Sequence, residues 1–281
     1  LEGLRKLPAV SIAMDKDDWA GSQNGIYIHS TSRGLAWERA CSAEFIFPDG
    51  KDVQVNCGIR VQGGASRNVN KSPKHSLSLR FREVYGPTKF RYPLFGDSKV
   101  STFNTLSFRA GYNNSWIHSN SNQRKVGSMI RDQWVRDSLL DMGNESAGEG
   151  YLIHLYINGL YWGVYNLTER HDHSHYAQYH GGDDEEIDAR NGSQYINGNS
   201  SHFKNVFQST VNRGNWAAIE RALDVDGYID YQLINRFGAN HDLKTGGNWR
   251  AAGGGVGNRP WQIYAWDSER VLESPSATNV P

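Results

Sequence analysis

The chain has no excess charge of either sign: among its 281 residues, Lys+Arg and Asp+Glu stand at 30 each. That balance gives no electrostatic pull towards nucleic acid or an anionic membrane. No apolar run approaches the roughly 18–20 residues that a bilayer span requires. Internal repeats and long low-complexity linkers are missing, which argues against solenoids and tethered arrays. There is no G-x-S-x-G elbow, and no Cys/His dyad can be argued from spacing. The chain opens at Leu1 without a signal-peptide pattern. A fragment is therefore expected, and its first residues carry no information about export.

What is present is aromatic and turn-rich, with 9 Trp, 14 Tyr and 30 Gly, as in a globular and not a disordered protein. The length suits one large domain or two lobes with a substantial core. Only two cysteines occur, Cys41 and Cys57. Residues 43–47 and 53–61 read as strands around the turn Pro48-Asp49-Gly50-Lys51. A hairpin symmetric about Asp49 sets Cys41 opposite Cys57, close enough for a cross-strand disulfide. Two reduced, buried thiols are the alternative.

The first half reads as mostly strand, with candidates at 9–14, 25–29, 41–47, 53–63, 76–84 and 103–109. A helix is expected at about 127–142, where Val135, Leu139 and Met142 recur at helical spacing and Gly143 supplies the stop. Two strands follow, 151–157 and 160–168, joined by Asn158-Gly159, a strong hairpin signal. After Glu169 the character changes, with helices expected at 200–211, 215–223 and 227–238. In the last of these, Ile229, Leu233 and Phe237 share one face and Asp226 is a candidate N-cap. The class is therefore α+β, with a β-rich lobe carrying one helix over 1–170 and a mostly helical lobe over 171–281.

Two acidic centres stand near the end of the chain. Asn240-His241-Asp242 leads to Gly246-Gly247-Asn248-Trp249, and the alternating run 261–265 leads to Trp266-Asp267-Ser268-Glu269. An acid, an amide six positions on, and a second acid after a hairpin form the layout that kinase-type phosphoryl transfer requires. One carboxylate takes the acceptor's proton while the amide and second acid hold a metal on the nucleotide phosphates. Capping and turn chemistry is the simpler alternative, since Asn and Asp favour turns.

Further segments occur in order along the chain. They are Gly58-Ile59-Arg60-Val61-Gln62-Gly63-Gly64-Ala65-Ser66-Arg67, Pro73-Lys74-His75-Ser76, Ile130-Arg131-Asp132, and the run from Leu155 to Glu169. Ile229-Asp230-Tyr231, Asn240-x-Asp242 and Trp266-Asp267 follow. Together they resemble the spore coat protein CotH family of atypical, secretory-type protein kinases, from about Leu7 to Glu273. The resemblance implies a bilobal kinase-like fold, ATP with Mg²⁺ or Mn²⁺, and transfer to Ser/Thr of a protein substrate. It also implies an extracytoplasmic setting, at a cell or spore surface or secreted. Only 268–281 follow Asp267, so the second lobe is expected to be cut short.

Carried over by position, Asp242 is the catalytic aspartate, and Asn248 and Asp267 hold the metal, with Glu269 as a further ligand. These are the hard oxygen donors that such cations prefer. Lys74, before a first-lobe strand, is the candidate phosphate-contacting lysine, with a generic surface lysine as the alternative. Gly63, Gly64, Ser66 and Arg67 form a turn that could cover the phosphates with backbone N–H groups. Asp132 is the best-placed acidic partner of the lysine, with Asp137 and Asp141 also available on that helix, and Glu169 and Trp266 complete the cofactor-binding set.

Other segments carry weaker readings. His171-Asp172-His173-Ser174-His175 suggests a transition-metal site, but alternate positions do not share a face if a helix opens there. Asp183-Asp184-Glu185-Glu186 reads as a solvated acidic turn. Asp224-Val225-Asp226-Gly227 reads as helix capping, since the spaced donors of a calcium loop are missing. Two rivals stay open: an inactive kinase-like scaffold serving as a surface binding or adhesion module, and a metal-dependent hydrolase using Asp242, Asp267 and the histidines.

Overall fold

The computed structural model describes residues 2–113, 115–205, 213–243 and 247–274. Compactness divides the chain into two units. The first joins Leu1–Met129 to Gly150–Glu169, and the second joins Ile130–Glu149 to Arg170–Pro281. Helices and strands are mixed throughout, as the α+β class requires. The division differs from a continuous split near residue 170, because 130–149, with the helix expected in the first lobe, groups with the second unit.

In the first unit, β1 (Ala9–Ala13), β2 (Arg39–Ile46), β3 (Asp52–Gln62), β4 (Ser76–Arg80), β7 (Thr105–Arg109), β8 (Gly150–Ile157) and β9 (Leu160–Glu169) form a closed barrel in the order β1-β2-β3-β4-β7-β9-β8. Two short strands, β5 (Phe90–Arg91) and β6 (Thr102–Phe103), pair separately. Alternation drives the barrel: Cys41, Ala43 and Phe45 of β2 and Val55, Cys57, Ile59 and Val61 of β3 are all buried, as period-2 side-chain placement predicts. The β2–β3 hairpin has the expected register, with Cys41 opposite Cys57 and Ile46 opposite Asp52. Asn158 and Gly159 take φ values of 50° and 78°, the left-handed pair that a two-residue hairpin turn demands.

Two short helices, α1 (Lys16–Ala20) and α2 (Ser121–Lys125), are capped by the side chains of Asp15 and Asn120. The strand expected at 25–29 is instead a run of turns. Its amides bond back to nearby carbonyls, Gly25 to Gly21 and Ile26 to Asp18, so no ladder forms. The strand expected over 76–84 stops at Arg80, where Phe81 bonds to Asn104 and a turn closes from Arg82 to Gly86.

The second unit holds α3 (Arg131–Asp141), α4 (His173–His180), α5 (Ser200–Lys204), α6 (Trp216–Ala222) and α7 (Val225–Phe237). Its sheet runs β11-β10-β12-β13, from β10 (Asp188–Asn191), β11 (Gln194–Asn197), β12 (Trp249–Gly254) and β13 (Arg259–Ala265). The helix expected over 200–211 is described only to Asn205; the rest lies outside the described residues. Val135 and Leu139 of α3 pack with Tyr231 and Ile234 of α7, Ala147, Ala265 and Val271. Each fully buried aliphatic side chain of this kind is worth about 1.5–3 kcal/mol.

α7 corrects two expectations. It begins at Val225, and Asp224, not Asp226, caps it by accepting from the amide of Gly227. The buried face carries Tyr231 and Ile234, whereas Ile229, Leu233 and Phe237 are 47%, 54% and 77% exposed. The apolar stripe at i, i+4 and i+8 is real, but it faces away from the core.

Candidate active site

Where α7 ends, a ladder of amide side chains organises the next loop. Asn235, buried in the last turn, donates from Nδ2 to the carbonyl of Tyr231 at 2.8 Å. Its Oδ1 accepts from Asn240 Nδ2 at 2.7 Å. Asn240 Oδ1 in turn accepts the backbone N–H of Asp242 at 3.0 Å, and Asn248 Nδ2 donates to the carbonyl of Asp242 at 2.7 Å. Asp242 is thus held on both sides of its own backbone by amide side chains.

Register brings the second acid to the same place. Trp249 of β12 lies opposite Ala265 of β13, so Asn248, before β12, and Asp267, after β13, share one end of the hairpin. Asn248 and Asp267 both adopt left-handed backbone, at φ 62° and 59°. That region is uncommon for a residue with a side chain, though least costly for Asn and Asp. Such outliers persist only where the surroundings over-determine them. Here the surroundings are Ser268, whose N–H donates to Asp132 Oδ1 at 2.8 Å, and Arg270, whose carbonyl accepts from His241 N–H at 3.3 Å.

Asp132, expected to partner the lysine, is engaged inside the second unit. Besides Ser268, it takes a 2.6 Å bond from Arg136 Nη1 through Oδ2, and Arg136 is itself fully buried. Glu269 is buried in the short 3₁₀ turn Ser268–Arg270. Trp266 is buried with the Arg250 guanidinium 4.0 Å above its ring.

In the first unit, Lys74 Nζ donates to the carbonyls of Ala110 and Val164 and stands 4.3 Å over the Tyr165 ring. Burial pushes its pKa down to about 8, because desolvation disfavours the ammonium. Among the described residues of its own unit no carboxylate pairs with it, and its polar contacts are these carbonyls. Glu169 is buried at the end of β9, opposite Leu106.

The turn at 63–67 has the backbone freedom expected. Gly63 sits at φ 114°, with Ser66 Oγ where a Cβ would stand, and a Cβ on Gly64 would meet nothing within 4 Å. Arg67 holds this turn and does not reach out of it. Its guanidinium donates to the carbonyls of Gly63, Ser30, Ser32 and Val61. Burial, then the nearby Arg33 and Arg60, lower its pKa to about 10.

A family model for CotH kinase protein matches residues 59–279, most of the chain. The chain belongs to the CotH kinase family. No curated protein matches it in sequence. For this CotH-family member the donor set can be tested against the metal that kinase chemistry needs. Asn248 commits Nδ2 to Asp242, and its Oδ1, a hard oxygen donor, meets no donor among the described residues. Asp267 adds a carboxylate at the same hairpin end, so the donor chemistry fits Mg²⁺ or Mn²⁺. Among the described residues, no three His, Cys, Asp or Glu side chains converge tightly enough to hold a metal by themselves.

The histidine motif has a structural explanation in this CotH-family chain. Nε2 of His171 lies 2.9 Å from the carbonyl of Ala147, and Nε2 of His175 lies 3.0 Å from that of Ser146. The rings thus clamp the loop after α3. Burial, then His175, Arg136 and Arg250, hold His171 well below its usual pKa and keep it neutral. Sequence reasoning missed Asn235, Asn240 and Arg136 as organisers. Asn240 offered a signal, since Asn-x-Asp is an Asx-turn pattern; buried Arg136 offered none.

Proposed function

We propose that this CotH-family chain is an ATP-dependent protein kinase with a bilobal kinase-like fold, transferring the γ-phosphate to Ser/Thr of a protein substrate. The observation that carries this reading is the bonded loop Asn240–Asp242–Asn248 meeting Asp267 at one hairpin end. Asp242 orients the acceptor hydroxyl and takes its proton. Asn248 Oδ1 and Asp267 would hold Mg²⁺ or Mn²⁺, with Glu269 as a further ligand. When bound, the metal neutralises charge on the phosphate oxygens. Lys74 is assigned to the phosphates, where its ammonium would exchange carbonyl partners for phosphate oxygens. The substrate is a protein met outside the cytoplasm, a reading supported by the family resemblance and by Cys41 and Cys57 opposed across β2–β3.

Calorimetric titration with ATP, with and without Mg²⁺ or Mn²⁺, tests the reading. Binding that needs the cation is expected, because phosphates beside Asp242 and Asp267 otherwise meet like charge. Equal or absent binding in both conditions rejects it. One observation favours the alternative, an inactive kinase-like scaffold acting as a surface binding module. Active protein kinases need their lysine paired with an acid, whereas among the described residues of its own unit Lys74 bonds only to carbonyls. Phosphate transfer from ATP to a protein acceptor separates the two readings.

A further inference from the structure

Within the second unit, away from the Asp242 loop, a cleft of ≈ 330 Å³ opens beside the N-terminus of α7. Glu145, Asp224, Asp226 and Asp230 line it, and among the described residues His180 is the only basic one in its wall. Asp226 and Asp230 have no cationic partner among the described residues. They lie four apart on α7, a spacing at which like charges destabilise a helix. α3 and α4 both end at the cleft, through 142–144 and 179–180, and their C-termini add negative partial charge that the N-terminus of α7 offsets only in part.

A second observation comes from β13. Gln262 is only 8% exposed and lines the same cleft. Its side-chain amide has no hydrogen-bond partner among the described residues. Its amide atoms are not sealed from solvent, so a ligand in the cleft would take the place of water on them. Gln262 Oε1 would accept from a donor that the carboxylates also attract. A bare metal ion fits poorly, since no three metal-binding side chains converge among the described residues.

We propose that this cleft binds a small linear diamine or polyamine. Two carboxylates four residues apart on a helix are separated by about 6 Å along its axis. A diamine with a four- or five-carbon chain spans that spacing, one ammonium on Asp226 and the other on Asp230, with Gln262 accepting from either. Residues 142–146 line the cleft, and His171 and His175 hold this loop through the carbonyls of Ala147 and Ser146.

The test is titration calorimetry of the whole chain, without nucleotide, against cadaverine, spermidine, Nα-acetyl-lysine amide, MgCl₂ and CaCl₂. Saturable binding of the two polyamines is expected. Asp226→Asn with Asp230→Asn, and separately Gln262→Leu, should weaken it about tenfold or more, a change of about 1.4 kcal/mol. Far-UV circular dichroism checks that each variant is folded. If the double variant fails to fold, Asp230→Asn alone with Gln262→Leu decides the matter. No polyamine binding, equal binding of acetyl-lysine amide, equal response to Ca²⁺, or undiminished binding in folded variants would each overturn the assignment. Nucleotide plays no part in the readout, so the outcome is independent of the kinase proposal.

Discussion

Asn248 Nδ2 donates to the backbone carbonyl of Asp242 across 2.7 Å, so an expected metal ligand also fixes the loop of the expected proton acceptor. Asn248→Ala removes both the bridge and the oxygen donor, and places a less tolerant residue at φ 62°. Asn248→Gly relieves the backbone but still lacks the side chain. Both variants should lose metal-dependent ATP binding, read as loss of the thermal shift with ATP and Mg²⁺. Both should melt lower without ligand through the lost bond to Asp242, and the alanine variant by a further ~1 kcal/mol of left-handed strain. Full ATP response in the folded glycine variant would remove Asn248 from the site.

Asp242 and Asp267 should separate chemistry from binding. Asp242→Asn keeps the shape and the backbone bonds to Asn240 and Asn248, but cannot take a proton. Transfer should fall by at least about 10²-fold, the usual scale of a lost general base, while metal–nucleotide affinity stays within a few-fold. Asp267→Ala should lose affinity as well. Parent-rate transfer by Asp242→Asn would show that the roles are misassigned.

Lys74 gives the proposal a pH signature. Its folded pKa is about 8, against a usual value of 10.5. Between these values the unfolded chain binds more protons than the folded one, so this residue's contribution to stability rises with pH from about 8 to about 10.5. A phosphate beside the amine restores the ammonium. ATP binding at pH 8.5–9 should therefore take up a proton, seen as a buffer-dependent enthalpy. Lys74→Met and Lys74→Arg should both abolish the uptake, the first having no titrating group and the second staying charged. A buffer-independent enthalpy in the parent chain would place the phosphates elsewhere.

Asp132 offers a test of positioning. It joins the buried Arg136 to the N–H of Ser268, next to Asp267. Asp132→Ala strips the carboxylate from a buried guanidinium, which costs about 3–5 kcal/mol. Asp132→Asn keeps an acceptor for Ser268 and should cost less. In the folded Asn variant, the KM for Mg²⁺·ATP should rise because Asp267 is less firmly held. A variant that melts lower with an unchanged KM would leave Asp132 purely structural.

The legible parts of this chain are those set by local rules. Alternation and turn residues give β2–β3 with its register, and Asn158-Gly159 gives β8–β9. Val135, Leu139 and Gly143 give α3, although which unit receives it depends on packing with α7 that no local pattern encodes. The same gap explains α7: periodicity finds a stripe but cannot say that Tyr231 and Ile234, and not Leu233 and Phe237, meet the core. At the site, Asp242, Asn248 and Asp267 stand out as residue types at a spacing. The bonds that bind them to Asn240 and to Asp132 are long-range partnerships, visible only once the chain is folded.

Cys41 and Cys57 carry the argument about compartment. Their sulfurs lie 3.5 Å apart, opposed across β2–β3 and buried, and a bond at about 2.05 Å needs only a small side-chain adjustment. The hydrogen bond with Cys41, then burial, raises the Cys57 thiol far above its usual pKa. Cys57 thiolate is therefore scarce in the folded, reduced chain, and with both sulfurs buried that state should resist alkylation at pH 8 while urea-unfolded chain reacts at once. Oxidation during folding in an oxidising compartment should instead close the bridge, adding on the order of 3 kcal/mol for a loop of this size. Mass spectrometry of the non-reduced protein from its native compartment should find a mass two hydrogens lower. Two free thiols there would reject the bridge and, with it, the structural support for an extracytoplasmic kinase.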